Sequence, residues 1–246
     1  MEITLLKDDP CFDADGHHKV LCPLEKVPIV LGIGLNYRKH AQEVREDVAL
    51  HNNNPALKQS IDTMGLFLKA TSSLVGAGEG IALRKPDRRN DHEVELAFVI
   101  GKSGNNIPAN RAMQYVAGYS IALDITIRGP EDRSFRKSPD TYSVLGPWLV
   151  TSDEIANPGE LELSISVNGE LRQKSNTRNL ICGVARLIEF ASSFYTLHPG
   201  DIFMTGTPEG VSQILPGDSI VASVEKIGSM EVKVYAPAGM PVGVHA

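Results

Sequence analysis

Three carboxylates and one histidine–glutamate pair are the residues of this chain whose types and spacing could do chemistry. In the stretch Asp91-His92-Glu93-Val94-Glu95-Leu96-Ala97-Phe98-Val99-Ile100-Gly101, the residues Val94, Leu96, Phe98 and Ile100 alternate with the others, the period-2 pattern of a strand with one buried face. Glu93 and Glu95 then lie side by side on the opposite face, roughly 6.5–7 Å apart along the strand. Carboxylates that converge repel unless something positive sits between them. A hard divalent cation such as Mg²⁺ or Mn²⁺ takes oxygen ligands and suits so rigid a frame. Taken alone, an E-x-E pair more often marks a solvated strand face. Asp124 shifts that balance, because it is a lone acid in a second alternating stretch, where Tyr119, Ile121, Leu123, Ile125 and Ile127 face one way and Ser120, Ala122, Asp124 and Thr126 the other. A carboxylate in such an apolar strand is costly unless paired or metal-bound. Asp124 is therefore a natural third oxygen ligand, the alternative being an ion pair with a nearby arginine such as Arg128.

His40 and Glu43 follow the short apolar strand Pro28-Ile29-Val30-Leu31-Gly32-Ile33-Gly34. If Asn36 caps a helix there, the two share one helical face and can act as a base and its orienting partner. A plain surface pair has the same spacing. The charged loop 129–140 offers Arg136 and Lys137, with Arg128 just before it, to an anionic substrate. Gly206-Thr207-Pro208-Glu209-Gly210-Val211, after the strand Ile202-Phe203-Met204-Thr205, suits close approach of backbone to a ligand.

The elements that must position these groups are mostly strands. Alternation or apolar runs predict strands at 65–69, 94–100, 119–128, 161–167, 202–205, 219–225 and 230–235, with a hairpin at Asn168-Gly169 and a second around Ile227-Gly228. Helices are expected at 110–116 and, as the best amphipathic stripe, at 178–195. Residues 44–60 read as a mobile polar loop, and residues 1–27 as a small N-terminal β lobe joined to a catalytic domain at 28–246.

Composition limits the function classes. The chain has 246 residues, 42% hydrophobic and 22% charged, with net charge −6. That charge argues against a nucleic-acid partner or an anionic membrane surface, and no apolar run approaches the ~20 residues of a membrane span. Three widely spaced cysteines without C-x-x-C, and an acid-containing N-terminus unlike a signal peptide, lead us to expect a cytoplasmic protein. Serine-hydrolase and zincin signatures are missing, since there is no G-x-S-x-G and His92-Glu93 has no histidine at position 96.

Assembled, the motifs resemble the fumarylacetoacetate hydrolase family. They are Gly34-Leu35-Asn36-Tyr37 with His40 and Glu43, Lys69 with Ser72-Ser73, Glu93-Val94-Glu95-Leu96, Gly118-Tyr119 with Asp124 and Arg128, Lys137 with Asp140-Thr141, Leu145-Gly146-Pro147, Val167-Asn168-Gly169-Glu170, and Pro199-Gly200-Asp201 through Thr205 to Val211, in the family's order over about 30–235. The resemblance implies a mixed, β-rich fold, a β-sandwich roll with few helices that is usually dimeric. It implies Mg²⁺ or Mn²⁺ on Glu93, Glu95 and Asp124, His40 and Glu43 as acid/base dyad, and substrate oxygens met by Lys137 and Thr207, with Arg128 alongside. The expected reaction is metal-dependent hydrolysis of a C–C bond in an acylpyruvate, a 2,4-dioxo acid such as maleylpyruvate or fumarylpyruvate, to pyruvate plus a carboxylic acid. The alternative is decarboxylation or isomerisation of a related 2-oxo or 2-hydroxy dienedioic acid. Family departures, among them Leu123 before the metal aspartate, Glu131 where a glutamine is common and a short 128–137 loop, fall in the segment expected to choose the substrate.

Overall fold

Alternation in the central strands leaves each with two different faces, and the fold uses both. The protein is described here by a computed structural model covering residues 22–24, 26–51 and 65–236. Seven strands form the main sheet in the order β2 (Leu66–Lys69), β1 (Val30–Ile33), β12 (Ile202–Met204), β6 (Val94–Ile100), β7 (Val116–Asp124), β9 (Ser143–Thr151) and β3 (Leu74–Val75). Against one face packs a five-stranded sheet, ordered β11 (Glu170–Asn176), β10 (Glu162–Val167), β14 (Ser219–Val224), β15 (Gly228–Tyr235) and β4 (Ile81–Ala82). Leu96, Phe98, Ile121 and Leu123 from the first sheet share a core with Leu163, Ile165, Ile220 and Val232 from the second. Each fully buried side chain of this size contributes about 1.5–3 kcal/mol, so this core can hold a cluster of buried charges at its end.

The other face of the main sheet carries a smaller core of Ala97, Val99, Ala122, Leu145, Ile202 and Met204, joined by Cys22 and Leu24. The main sheet is curled. Its edge strands β2 and β3 are separated in sequence only by the short turn that contains the 3₁₀ segment Thr71–Ser73. Ala70 N–H donates to Ser138 Oγ (3.0 Å) and the Ser73 and Ser143 hydroxyls bond at 2.7 Å, tying this turn to residues on the far side of the curl. The mixed β-sandwich roll expected from the sequence is what the strands build. A third, three-stranded sheet of β13 (Ser212–Gln213), β5 (Asn90–His92) and β8 (Thr126–Ile127) closes one end.

Helices are few and shorter than expected. They are α1 (Arg38–Glu46), α2 (Val48–His51), α3 (Ala109–Ala112), α4 (Arg133–Lys137) and α5 (Val184–Ser192). The long helix expected over 178–195 breaks into a 3₁₀ turn at Thr177–Asn179 and α5, because the Asn36 side chain grips the segment between them. It accepts from Cys182 N–H (2.8 Å) and donates to Cys182 O (2.9 Å). Asn36 is therefore not a helix cap; Tyr37 holds the N-cap position of α1 without a side-chain bond. The helix expected at 110–116 is α3 followed by a 3₁₀ turn, Met113–Tyr115, and gives way to β7 at Val116. The charged loop 129–140 contains α4, started by the Asp132 carboxylate accepting from Ser134 N–H (2.7 Å). Asn168 and Gly169 at φ +52° and +82° make the β10–β11 hairpin with the left-handed pair that a type I′ turn requires. Of the expected mobile loop, residues 44–51 belong to α1 and α2 and their junction, and 52–60 lie outside the described residues. So does most of the expected N-terminal lobe, 1–27.

Candidate active site

Strand order brings the three acids together. β6 and β7 run antiparallel with Val94 opposite Leu123, so the start of one meets the end of the other, and Asp124 N–H donates to Glu93 O (2.9 Å). β12 also runs antiparallel to β6, which places the turn after it beside Glu95. There Gly206 N–H donates to Glu95 Oε2 at 2.5 Å. Gly206 has φ +99°, and a Cβ on it would lie 2.7 Å from Asn36 Cβ, so only glycine brings the backbone this close. One carboxylate oxygen from each of Glu93, Glu95 and Asp124 lies within 4.8 Å of the others, and none of the three residues is more than 5% exposed. The solvated-face reading of Glu93 and Glu95 does not hold.

Cations surround the triad. Lys137 Nζ, on α4, donates to Asp124 Oδ2 (2.6 Å), Glu93 Oε2 (2.7 Å) and Thr126 Oγ1 (2.7 Å). Lys69, fully buried, bonds Asp124 Oδ1 and donates to Tyr142 O (2.9 Å). Arg128 uses Nε on Asp91 Oδ2 (2.7 Å) and one terminal nitrogen on Glu93 Oε1 (2.9 Å). The ion pair considered between Asp124 and Arg128 is thus replaced: Asp124 takes the two lysines and Arg128 takes Asp91 and Glu93. Burial alone would raise the Glu93 carboxyl, but Lys137 and Arg128 outweigh it and hold the group well below the usual carboxylate range. Glu95 has no such partner. Burial and the charges of Asp124 and Glu93 push it well above its ordinary value, with the Lys137 charge and the Gly206 bond working the other way. Burial pulls the Lys69 ammonium down, against the raising effect of Asp124. A buried three-oxygen donor set, one member of which is driven toward its protonated form by burial and by the charges of the other two, is one that a hard divalent ion fits. The triad has the donor set and burial of a candidate divalent-metal site.

The expected dyad is also assembled. His40 is buried on α1, and its Nδ1 pairs with Glu43 Oε2 at 2.9 Å. Glu43 Oε1 accepts from Gly210 N–H (3.0 Å), which fixes α1 to the turn after β12. With Nδ1–H donating to the carboxylate, Nε2 keeps its lone pair and can take a proton. One cavity is lined by His40, Glu93, Arg128, Arg133, Arg136, Lys137 and Thr207, with Leu35, Val44 and Leu50 as its apolar wall. All the residues expected at the site except Glu43, Glu95 and Asp124 line this cavity, and those three bond or converge directly on residues that do.

Several residues beyond the expected set also build the site. Lys69 and Asp91 carry the inner charge network, and Thr126 bridges Lys137 to Glu93, donating to its Oε1 at 3.1 Å. Gln173 arrives from β11 and donates to Thr207 Oγ1 (2.8 Å) and Pro208 O (2.7 Å), while its Oε1 faces Val94 N–H and His92 Nδ1, both at 3.1 Å. The Thr207 hydroxyl donates in turn to Val94 O (2.9 Å), so it meets a substrate oxygen as donor only by giving up that bond. Lys69 had a sequence signal, a single cation ending the apolar run Leu66-Phe67-Leu68. Gln173 had none, because in sequence it is a polar residue in a mostly exposed hairpin strand.

Comparison with known proteins follows this geometry. The family model for the C-terminal part of fumarylacetoacetate (FAA) hydrolase matches residues 29–235. Maleylpyruvate hydrolase of Aquipseudomonas alcaligenes is 56% identical over 232 residues, covering 94% of this chain and 80% of that protein. The crystal structure of maleylpyruvate hydrolase from Sphingobium sp. SYK-6 in complex with manganese(II) and pyruvate is 36% identical, with a TM-score of 0.74 over 88% of this chain and 73% of that one. The 2-hydroxyhepta-2,4-diene-1,7-dioate isomerase of Mycobacterium marinum is 30% identical, with a TM-score of 0.72 over 89% and 78% of the two chains.

Proposed function

We propose that this chain, which belongs to the fumarylacetoacetate hydrolase family, is a metal-dependent hydrolase that cleaves the C–C bond of an acylpyruvate, with maleylpyruvate as the first candidate, to pyruvate and a carboxylic acid. The observation that carries this is a single cavity lined by one member of the base dyad, His40, and one member of the acidic triad, Glu93, with their partners bonded to or converging on lining residues. Mg²⁺ or Mn²⁺ would be held by Glu93, Glu95 and Asp124, and manganese is the ion in the Sphingobium relative. We further propose a cytoplasmic homodimer. No helix among the described residues is long and apolar enough to cross a membrane.

In overall balance, water adds to the distal carbonyl of R–CO–CH₂–CO–COO⁻, the bond from that carbon to the CH₂ breaks, and its electron pair becomes the enolate of pyruvate, which takes a proton at carbon. A bound divalent ion supplies Lewis-acid stabilisation of the enolate charge. His40 Nε2 takes the water proton and returns it to the CH₂ carbon, and Glu43 holds the ring and balances the imidazolium charge. Lys137 is the cation placed to exchange its carboxylate bonds for a bond to the oxyanion. Arg128 keeps Glu93 charged and faces the cavity beside it.

The same enolate serves a second reading, isomerisation or decarboxylation of a 2-oxo or 2-hydroxy dienedioic acid, favoured by the likeness to the Mycobacterium isomerase. Purified protein with Mn²⁺ or Mg²⁺ is incubated with maleylpyruvate, fumarylpyruvate, oxaloacetate and a 2-hydroxydienedioate, and products are separated. Pyruvate and the free acid in equal amounts support the hydrolase. Carbon dioxide without a released acid, or a shifted double bond with no cleavage, supports the alternative instead.

A further inference from the structure

Four cations line the cavity, and three of them are engaged. Arg128 is bound to Asp91 and Glu93, Lys137 to Glu93, Asp124 and Thr126, and Arg136 donates to Ile127 O (3.1 Å) and Glu131 O (2.8 Å), which shapes the backbone before α4. Arg133 is different. Its side chain makes no hydrogen bond and no ion pair among the described residues, although the charges of Asp132 and Glu93 act on it from a distance. The guanidinium carbon lies 5.7 Å from the ring centre of Phe67.

The position of Arg133 gives that idle cation a direction. Arg133 and Lys137 are four residues apart on α4, hence on one face and separated by ~6 Å along the axis. Both rest on the same ring, Lys137 Nζ at 5.4 Å from its centre. Burial weakens the hold of Arg133 on its proton, yet a guanidinium remains charged at any physiological pH. A partly buried guanidinium whose donors bond no carboxylate leaves hydrogen-bonding capacity unused, and a planar five-donor fork is matched by a carboxylate. Leu35, Val44 and Leu50 on the apolar wall reduce the competition from water for that bond.

We infer that Arg133 anchors a second carboxylate, the one on the acyl portion of the substrate, and so makes this site selective for dicarboxylic acylpyruvates over those with an uncharged tail. This rests on the acylpyruvate reading above. In that arrangement the pyruvate end lies toward the triad and Lys137, and the acyl end lies one helical turn back along α4. Phe67 holds the guanidinium in place from behind, as a cation–π support that leaves its edge free to bond.

The test compares wild type, Arg133→Leu and Arg133→Lys, each with Mn²⁺, on maleylpyruvate and on acetylpyruvate, whose acyl tail is a methyl group. The quantity read is the ratio of kcat/KM for the diacid to that for the monoacid. It falls about 100-fold in Arg133→Leu and about tenfold in Arg133→Lys, which keeps the charge but loses the fork. An unchanged ratio, whether both substrates slow equally or neither does, overturns the assignment and leaves Arg133 a structural partner of Phe67. Binding of maleate, followed by thermal shift, gives a readout independent of turnover. Arg133→Leu loses the maleate shift while retaining the shift given by pyruvate; equal retention of both also overturns the assignment. If wild type releases no pyruvate from either substrate, the acylpyruvate reading fails, and the maleate comparison still decides the role of Arg133.

Discussion

Replacing Glu95 by glutamine reverses the usual sign of a buried-charge mutation, and the structure says by how much. Glu95 shares a space of 4.8 Å with Glu93 and Asp124, and two carboxylates at that separation repel by about 3–4 kcal/mol at an effective dielectric of about 20. The Lys137 charge offsets one of the two repulsions, leaving an uncompensated cost of about 3 kcal/mol. Glu95→Gln removes that cost, and its amide oxygen can still accept from Gly206 N–H. The pH dependence follows from the direction of the shift. Below about pH 4.5 Glu95 is neutral in both the folded and unfolded chain and the substitution is silent. Above it, the unfolded chain ionises while the folded protein resists, so wild type loses about 1.4 kcal/mol per pH unit up to its raised value and the variant does not. Metal acts the other way. At a hundredfold excess over its dissociation constant an ion stabilises wild type by about 2.7 kcal/mol, and a hundredfold weaker site in the variant leaves about 0.4 kcal/mol. Urea denaturation at pH 8 therefore shows Glu95→Gln more stable than wild type in EDTA, with the gap narrowing by about 2 kcal/mol in Mn²⁺. A variant less stable than wild type in EDTA, or equal stabilisation of both by Mn²⁺, would refute the reasoning.

Lys69→Met strips Asp124 of its fully buried partner and is expected to cost about 3–5 kcal/mol; a loss under 1 kcal/mol in the same urea assay would show that Lys137 alone suffices. Glu43→Gln keeps the shape of the dyad but not its charge, so kcat is expected to fall about 10–100-fold at little cost in stability, and an unchanged kcat would remove Glu43 from the proton path. Burial pushes the Cys22 thiol up to about 11, so the unfolded chain ionises first and wild type loses about 1.4 kcal/mol of stability per pH unit between roughly 9 and 11. In Cys22→Ala that component of the slope disappears, and parallel stability curves for the two proteins across pH 8.5–11 would show that it does not arise at Cys22.

How much of this was legible in the sequence differs by residue. Val94, Leu96, Phe98 and Ile100 announce β6 by alternation alone, and the lone acid at position 124 marks the metal site because few reasons put a carboxylate in an apolar strand. The hairpin at Asn168-Gly169 was equally plain from its turn chemistry. The partners of those acids were not legible. Which cation neutralises Asp124 depends on how far the main sheet curls, and that curl brings Lys69 from an edge strand to β7 without any local pattern. The helix at 178–195 failed for a similar reason, since its stripe is real but Asn36, 146 residues away from Cys182, claims the backbone where its first turns would form. α4 is too short to show periodicity, so the sequence placed Lys137 in a charged loop and gave Arg133 no role, although one helical face carries both.

Water attack at the distal carbonyl is tested most directly by where the oxygen of water goes. Maleylpyruvate is turned over with Mn²⁺ in ¹⁸O-labelled water, and the released acid is analysed by mass spectrometry. Attack by water activated at His40 predicts one ¹⁸O in the carboxylate of the liberated maleate, with pyruvate formed in equal amount. Loss of carbon dioxide, or an isomerised seven-carbon acid with no cleavage, would contradict it.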